Sequence, residues 1–469
     1  MKRFLLIAFV SSSVDAATLS VTTTHDVIAD DGLLSLREAV LWANTNAGVD
    51  TITLPEGTYV LSIPGADDES LQGDLDFRDS AIIEGAGART TIIDANGIDR
   101  VMFFDQNIEM RISDIAIVGG LSTIGSGLYN QSTTFMSRCQ VIGNGAYAYG
   151  GGIEQYSGAL FIDQSAIYFN ECGDSGGGGI DVIGGILSLS NSTIALNASR
   201  AGGGIFRSGG EVHLFSSTVV SNSAVLAGGG IWGGVSSMAN TLVATNNAPS
   251  SPDIQGLVGS LGFNLVGFSG GSAGYVGTDL LDVLPVIGSL RFRGGTTPTH
   301  ALFAGSPAIN RGDPAYPTNA VPYDQRGVDF PRQRGLRVDI GAYEFLRPDE
   351  DSDGIEDDWE MFYGLDPTNA SDAVEHGDRD GFNNLEEYIA DTNPNDGLSY
   401  FRILQIDPGP TITFNSSTSR LYRLQLDPDL STALWTNATP WVTGLVATTT
   451  YIDTNTLPSQ FYRANVRIP

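Results

Sequence analysis

The chain has 469 residues, of which 41% are hydrophobic and 17% are charged, so it can form a sizeable core and is not intrinsically disordered. Its net charge of −30 excludes nucleic acid and anionic membrane as partners, because both need a basic surface. Its 58 glycines follow no collagen period and therefore indicate many tight turns.

Residues 1–16 have the order of a secretory signal peptide. Lys2 and Arg3 form the charged start, residues 4–10 form the apolar stretch, and residues 14–16 offer a small-residue cleavage site. We therefore expect a secreted protein, either extracellular or at the cell surface. No later apolar run reaches the roughly 18 residues that a membrane helix needs, so no membrane span is expected.

Residues 33–47 predict a short amphipathic helix. Ser35 and Glu38 make a capping box, and Gly48 is placed to end the helix. Four apolar residues share one helical face: Leu36, Ala39, Val40 and Ala43. We expect this helix to close the open end of the repeat structure that follows.

The central part of the chain repeats at intervals of 24 to 27 residues. The tetrapeptide Gly-Gly-Gly-Ile ends at Ile153, Ile180, Ile205 and Ile231. An asparagine recurs in the same rhythm, at Asn144, Asn170, Asn197, Asn222 and Asn246. Each asparagine follows a valine or isoleucine by three residues, a small residue by five and an apolar residue by eight. Steps of two indicate β-strands, and the step from five to eight predicts a kink between two short strands.

Each repeat is interpreted as one coil of a parallel β-helix. A coil cannot bury its inner face alone, so the coils stack about 4.8 Å apart and share a core. The asparagines then form a structural ladder, each amide bonding to the next. Ordinary turn preference is the alternative, but five asparagines in phase with an apolar column favour the ladder. Cys139 and Cys172 fall at different positions of the coil, so no disulfide is implied and their redox state stays open.

Both ends of this region resemble a bacterial family of extracellular right-handed β-helix proteins, which is related in fold to pectate lyases. The opening motifs are Ser-Leu-Arg-Glu-Ala-Val at 35–40, Asp-Thr-Ile at 50–52 and Gly-Thr-Tyr at 57–59. The closing motifs are Thr-His-Ala-Leu at 299–302, Gly-Ser-Pro-Ala-Ile at 305–309, Asp-Gln-Arg-Gly at 324–327 and Asp-Ile-Gly-Ala-Tyr-Glu at 339–344. Leu34 stands where the family usually has cysteine. The resemblance covers residues 17–346 and implies a right-handed parallel β-helix and export, without implying one activity.

Two groups of residues in the closing region suggest functions of their own. The tripeptide 311–313 reads Arg-Gly-Asp, an integrin-type motif, and we interpret it as a chance match at a turn. Four charged residues offer a candidate site: Asp324, Arg326, Asp339 and Glu344. Bidentate arginine–carboxylate pairing that locks the end of the β-helix is the preferred interpretation of these four.

Residues 347–397 form an acidic spacer, with 17 acidic residues and one arginine between Asp349 and Asp396. A twelve-residue calcium loop begins at Asp349, with Gly354 at the sharp turn. Its expected ligands are Asp349, Asp351, Asp353, the carbonyl of Ile355, Asp357 and Glu360. Carboxylate and carbonyl oxygens are the ligands that Ca²⁺ prefers, so the spacing predicts Ca²⁺ as the cofactor.

A second loop follows, with expected ligands Asp378, Asp380, Asn384 and Glu387. His376 occupies its first position and is a poor ligand for a hard cation, so we expect a weaker site or the use of Glu375. The spacer resembles calcium-binding spacers of exported bacterial proteins, which are similar to thrombospondin type 3 repeats and dockerin loops. Cohesin pairing of the dockerin kind is not favoured, because the helices between the loops are short and acidic.

Residues 398–469 alternate apolar and polar residues and predict a small antiparallel β-sandwich. Trp435 and Trp441 are candidates for stacking on sugars, although a core or interface role is the more common use of tryptophan. The expected fold class is therefore mainly β: a right-handed parallel β-helix over residues 17–346, a calcium-loop spacer and a small C-terminal β-sandwich.

The sequence leaves two functions open. The first is a calcium-binding adhesive module that presents a repetitive face to a glycan or cell-surface ligand, with no enzymatic activity and an oligomeric state that the sequence leaves open. The second is a polysaccharide lyase or glycoside hydrolase on the β-helix. Glu154 and Asp181 are the best catalytic or cation-binding pair, since both follow Gly-Gly-Gly-Ile. His213 is expected to face outward, and only Arg200 and Arg207 are nearby bases.

Overall fold

The computed structural model describes residues 16–316, 321–333, 337–345, 349, 351–407, 411–417, 420–428, 435–445, 447–453 and 461–468, and it leaves the side chain of Asp358 undescribed. The predicted signal peptide therefore lies outside the described residues, except for Ala16.

The main body is a stack of coils whose strands form two long parallel sheets that run side by side. The strands of sheet 1 are Leu75–Phe77, Met102–Phe104, Leu128–Asn130, Ile153–Gln155, Ile180–Val182, Ile205–Arg207 and Ile231–Trp232. The strands of sheet 2 are Thr18–Ser20, Asp50–Leu54, Ala81–Gly85, Glu109–Ser113, Thr133–Ser137, Ala159–Asp163, Ile186–Ser190, Glu211–Phe215 and Val235–Ala239. The long strand Ile254–Gly262 continues both sheets and pairs with Ser272–Ala273.

Two further parallel sheets complete each coil. The strands of sheet 3 are Gly57–Val60, Thr91–Asp94, Ala116–Val118, Gln140–Ile142, Ala166–Tyr168, Thr193–Ala195, Thr218–Val220, Leu242–Ala244, Leu265–Val266 and Leu280–Leu281. The strands of the short sheet 4 are Leu121–Ile124, Gly145–Tyr149, Glu171–Cys172, Ala198–Ser199 and Ser223–Ala224. In the central coils the chain passes through sheets 1, 2, 3 and 4 in that order. The predicted parallel β-helix is confirmed.

The coils stack in a constant register, so equivalent residues lie next to one another. Ile153 pairs with Ile180, which pairs with Ile205, and this column continues to Ile231. All four isoleucines are fully buried. Burial of each such side chain stabilises the fold by roughly 1.5–3 kcal/mol, so the column of the glycine motif supplies part of the shared core.

A kink separates sheets 2 and 3 in each central coil, as the sequence predicts. The residue six positions before each ladder asparagine has a positive φ of 41° to 51°; these residues are Arg138, Gln164, Asn191, Ser216 and Asn240. Non-glycine residues adopt this left-handed conformation rarely and at a cost, so the surrounding stack must hold it in place.

The ladder asparagines are buried and lie in one column. Each side-chain Nδ2 donates to the Oδ1 of the next coil's asparagine at 2.9–3.0 Å, from Asn144 through Asn246. Asn246 in turn donates to Oδ1 of Asp253 at 2.9 Å, so an aspartate ends the column. Each Oδ1 also accepts a backbone N–H of the preceding coil, for example that of Asn170. The glycine motif passes close to this column: a Cβ on Gly179 would lie 3.1 Å from the Nδ2 of Asn197.

The N-terminal end is closed by the helix Leu36–Ala43, and its capping box is formed by Ser35 and Glu38. The prediction that Gly48 ends the helix is wrong, because the helix ends at Asn44. The Asn44 side chain donates to the carbonyl of Asp76 and accepts the N–H of Arg78, which ties the chain to the first coils. These contacts stop the helix one turn early.

The closing region contains the antiparallel strands Ile287–Arg291 and Thr299–Leu302 and packs an apolar layer against sheet 3. Arg326 holds both carboxylate oxygens of Asp324, through Nε to Oδ1 and Nη2 to Oδ2, and lies 3.7 Å from the Tyr343 ring centroid. Asp339 and Glu344 accept backbone N–H groups within the same region. All four charged groups therefore hold the closing region together. The Arg-Gly-Asp tripeptide is also held by hydrogen bonds: the N–H of Gly312 donates to the carbonyl of Val338, and that of Asp313 donates to Oδ1 of Asn240.

The remainder of the chain contains the helices Asp357–Tyr363 and Asn384–Ala390 and the 3-10 helix Asp372–Val374. Two small antiparallel sheets follow. One contains Ile403–Asp407, Thr411–Ser416 and Ala447–Ile452; the other contains Thr436–Asn437, Leu421–Asp427, Val442–Thr443 and Phe461–Arg467.

The two candidate sugar-stacking tryptophans of the C-terminal sheets lie against arginines. Arg423 and Arg467 each lie 4.4 Å from the Trp441 ring centroid, and Arg463 lies 4.5 Å from that of Trp435. The tryptophans therefore already make cation–π contacts within the chain.

The ladder gives a first prediction. Asn197→Ala removes two side-chain links, one to each neighbouring coil, and leaves buried polar groups of Asn170 and Asn222 without their partner. We expect the free energy of unfolding to fall by about 1–3 kcal/mol, measured by denaturant unfolding of the full chain. Asn247→Ala is the control, because this side chain is exposed. Equal stability of the two variants would contradict the structural role.

Candidate functional site

The first acidic loop is built by its own carboxylates. Asp349 accepts the N–H groups of Asp353 and Gly354 at 3.0 and 2.9 Å, and Asp353 accepts that of Ile355 at 2.8 Å. Gly354 has a φ of 96°, which favours glycine at this sharp turn. Asp351 and Asp353 each use Oδ1 for this bonding, while their buried Oδ2 atoms have no hydrogen-bond partner among the described residues.

Glu360 and Asp372 bring two further carboxylates to this loop. The ligand atoms of Asp353, Glu360 and Asp372 lie within 4.8 Å of one another, as do those of Asp349, Asp351 and Asp353. Glu360 is fully buried, and within the described part of the chain neither of its carboxylate oxygens has a hydrogen-bond partner.

The two other predicted residues of the first loop have different positions. The side chain of Ile355 is buried in a small apolar core with Trp359, Ala373 and Tyr388, which fixes the backbone at this point. Asp357 is half-buried at the start of its helix and lies outside both carboxylate sets. Asp372 is the residue that the sequence pattern missed, because it lies beyond the twelve-residue loop.

The second acidic loop has the same construction with fewer groups. The ligand atoms of Asp378, Asp380 and Glu387 lie within 4.8 Å of one another. Asn384 is buried, and its Oδ1 has no hydrogen-bond partner in the described ranges. The two suggested first ligands lie elsewhere: Glu375 is exposed, and the Nδ1 of His376 hydrogen-bonds the carbonyl of Phe382 at 2.8 Å.

Burial and mutual repulsion disturb the protonation of these acids. Burial first, and then the charges of Asp353, Asp351 and Asp372, together raise the pKa of Glu360 to about 8. Burial also raises the pKa of Glu387 to about 7, with a contribution from its neighbouring aspartates. Arg379 is the only lysine or arginine between residues 349 and 396, so the segment itself supplies little positive charge. Buried oxygen atoms without donors fit a hard cation such as Ca²⁺.

The β-helix carries a second candidate region on the outer face of sheet 1. From the strand Met102–Phe104 onward, the second residues of its strands pair in register and form an outward column: Phe103, Tyr129, Glu154, Asp181, Phe206 and Trp232. The Phe103 and Tyr129 rings stack with centroids 5.5 Å apart, and those of Phe206 and Trp232 stack at 4.4 Å. Tyr156 stacks on Tyr129 at 5.7 Å and is itself exposed.

Glu154 and Asp181 are register neighbours between the two aromatic stacks, as the repeat predicts. Their exposed fractions are only 1% and 0%, because the glycine turns cover them: a Cβ on Gly150 would lie 2.8 Å from Glu154 Oε2. Burial, followed by the mutual interaction, raises the pKa of Glu154 to about 9; burial raises that of Asp181 to about 7. The pair is therefore expected to retain a proton at neutral pH.

An open cleft of about 520 Å³ lies beside this column. Tyr149, Phe206 and Leu226 give it apolar walls, and Asp174 and Arg200 are its charged lining groups. A second depression of about 370 Å³, lined by Arg207, adjoins it, since both are lined by Ser208. The combination of aromatic walls with few charged groups suits a neutral polar ligand such as a saccharide.

His213 lies on sheet 2 and faces outward, as predicted. Its Nδ1 lies 2.7 Å from Ser237 Oγ, and its Nε2 lies 3.1 Å from Oε2 of the exposed Glu211. Ser237 is the cross-strand neighbour of His213 in the next coil, so this is a surface network between coils.

The fold makes this chain a parallel β-helix protein. Neither a protein-family model nor a curated protein matches it. Among solved structures, the crystal structure of pectate lyase Pel9A is similar, with a TM-score of 0.35 and 13% sequence identity over 71% of this chain and 97% of that chain. This likeness carries no conclusion about activity. Among the described residues, no helix is long and apolar enough to cross a membrane.

The buried acid pair gives a second prediction. The folded-state pKa values of Glu154 and Asp181 lie above their ordinary values of 4.5 and 3.8, so folding favours their protonated forms. Stability is therefore lost as the pH rises from about 4 and through the folded values of about 7 and 9.

We expect Asp181→Asn, which removes one charge at constant shape, to melt at a higher temperature than the wild type at pH 9.5. The difference should be small at pH 5, where the pair is protonated. Glu171→Gln is the control, since Glu171 is exposed on a neighbouring strand. Melting is followed by calorimetry in saturating calcium, and a pH-independent difference would contradict the assignment.

Proposed function

We propose that this chain is an exported calcium-binding β-helix protein that acts as a binding module toward glycans. The observation that carries the calcium assignment is the group of buried carboxylate oxygens that lack hydrogen-bond partners within the described residues, above all both oxygens of Glu360. A buried carboxylate without a hydrogen-bond donor or counter-charge destabilises the fold, so we expect these oxygens to bind a cation.

The ligand sets differ in strength. The first loop has two overlapping sets of carboxylates, Asp349 with Asp351 and Asp353, and Asp353 with Glu360 and Asp372, whereas the second loop has one set, Asp378 with Asp380 and Glu387. Calcium affinity rises with the number of charged ligands, so the first loop is the tighter site. Extracellular calcium modules bind at around 0.1–1 mM, a range that suits an exported protein. The spacer is therefore ordered by calcium, whereas the β-helix has a large apolar core of its own.

Calcium removal gives a third prediction. Titration calorimetry of the full chain should show binding at submillimolar to millimolar calcium, and Glu360→Gln should weaken the first site. Glu375→Gln is the matched control, because Glu375 lies outside the carboxylate sets and is exposed.

Trypsin provides an independent measurement of the same effect. Arg379 is the only lysine or arginine between residues 349 and 396, so cleavage there reports on the spacer alone. Chelation should accelerate this cleavage and leave the melting of the β-helix unchanged. No heat at millimolar calcium, together with equal cleavage in calcium and chelator, would refute the calcium assignment.

The glycan assignment depends on the outer face of sheet 1. Its cleft of about 520 Å³ has aromatic and aliphatic walls beside the Phe206–Trp232 stack, and Tyr156, in the other aromatic stack, is 47% exposed. Aromatic rings offer sugars an apolar contact surface, while Asp174 and Arg200 offer hydrogen bonds to hydroxyl groups. The repeating coils present these groups along one direction, which suits an extended chain.

Cleavage of the bound glycan is the alternative function. It is favoured by the position of Glu154 and Asp181 in the same outward column, between the aromatic stacks. Their burial opposes it, because carboxyl groups that are 1% and 0% exposed cannot contact a substrate without movement of the covering turns. The adhesive function is therefore preferred.

The fourth prediction separates binding from cleavage. On a glycan array, Trp232→Ala and Tyr149→Ala should lose binding that the wild type shows, whereas Phe169→Ala, on an exposed ring that does not line the cleft, should retain it. Wild-type protein incubated with polygalacturonate, alginate and chondroitin in calcium should release no new reducing or unsaturated ends. Product formation that disappears in a Glu154→Gln, Asp181→Asn double variant would establish the cleavage function instead.

A further inference from the structure

Asp372 lies between the two calcium loops and belongs to neither twelve-residue motif. It begins the 3-10 helix Asp372–Val374 and is 6% exposed. Its Oδ2 accepts the N–H of Asp366 at 2.9 Å, which fixes the carboxylate. Its Oδ1 is buried and has no hydrogen-bond partner in the part of the chain that the structure describes.

The carboxylate of Asp372 lies beside two carboxylates of the first calcium loop. Ligand atoms of Asp372, Asp353 and Glu360 lie within 4.8 Å of one another. Glu360 is fully buried, and its two oxygens also lack partners among the described residues. Three carboxylates thus converge on one point from a loop, a helix and a 3-10 helix, and the repulsion between their charges favours a bound cation.

The backbone of Asp372 is joined to the second loop. The Asn384 side-chain Nδ2 donates to the carbonyl oxygen of Asp372 at 2.8 Å. The Oδ1 of the same amide is buried and lacks a partner within the described ranges, and Asn384 is an expected ligand of the second calcium. Asp372 therefore contacts both loops: its side-chain carboxylate lies at the first loop, and its backbone carbonyl positions the Asn384 amide of the second loop.

Other contacts make the two loops one packed unit. Tyr388, in the helix Asn384–Ala390, donates a hydrogen bond to Glu356, which directly precedes the helix Asp357–Tyr363. Its ring also meets that of Trp359 edge-on, with centroids 5.3 Å apart. Ala373, next to Asp372, is buried in the same apolar core. A shift of the 3-10 helix is therefore transmitted to both loops.

We propose that Asp372 is a ligand of the first calcium ion and couples the two calcium sites through its bond to Asn384, so that the ions bind with positive cooperativity. This inference rests on the proposed calcium binding. Binding at the first loop fixes Asp372, and Asn384 is then already oriented for the second ion. Coupling of this kind is reciprocal and typically changes affinity by about 5–150-fold.

The test is calcium titration calorimetry on the full chain, with Asp372→Asn as the main variant. Asparagine keeps an acceptor for the Asp366 N–H and leaves the backbone carbonyl in place, so the fold without calcium should melt at an unchanged or higher temperature. First-site affinity should fall by about 10–100-fold, as for other losses around a bound metal, and the second site should weaken with it. Asp366→Asn is the control, because Asp366 is exposed and contacts Asp372 only through its backbone.

A second variant examines the link alone. Asn384→Asp keeps the ligand oxygen and removes the amide donor to the Asp372 carbonyl, so both ions should bind without cooperativity. If Asp372→Asn lowers the calcium affinity of the first site alone, the proposed coupling is wrong. If both sites keep their wild-type affinities in that variant, Asp372 is not a ligand either. A wild-type chain that binds no calcium would instead refute the proposed function itself.

Discussion

Coil-to-coil hydrogen bonding in a fixed register is the interaction on which the β-helix depends. Backbone groups of each coil pair with the coils before and after it, so every side chain meets its equivalent about 4.8 Å away. Apolar positions become continuous columns such as Ile153 to Ile231, and polar positions become ladders such as Asn144 to Asn246. A polar side chain is tolerated inside this stack because its neighbour supplies the matching donor or acceptor.

The same register determines which residues are neighbours on the outer face of sheet 1, where it produces both aromatic pairs and a pair of acids. Aromatic residues stack on one another, as Phe206 does on Trp232, and build an apolar surface beside the cleft. Acidic residues are brought together as well, and burial is the main cause that raises the pKa values of the Glu154 and Asp181 carboxyl groups. The face therefore combines a candidate binding surface with a locally strained electrostatic arrangement.

The acidic spacer follows different physics from the β-helix. Its apolar core is small, formed chiefly by Ile355, Trp359, Ala373 and Tyr388, and its carboxylates converge in a segment whose sequence has one arginine, Arg379, between residues 349 and 396. Hydrophobic burial organises the β-helix, whereas in the spacer we propose that calcium offsets the repulsion between the acids. This difference explains why calcium is expected to control the spacer and not the β-helix.

The sequence by itself determined the coil, the kink between sheets 2 and 3, the asparagine column and the two acidic loops. Each is encoded by spacing within one coil or one twelve-residue loop, where the chain's local geometry leaves few alternatives. Only the tertiary structure decided that the helix Leu36–Ala43 ends at Asn44 and that Asp253 ends the asparagine ladder. It also decided that Asp372 lies with Asp353 and Glu360. These outcomes depend on which distant segment packs over a residue, and such contacts leave no periodic trace in the sequence.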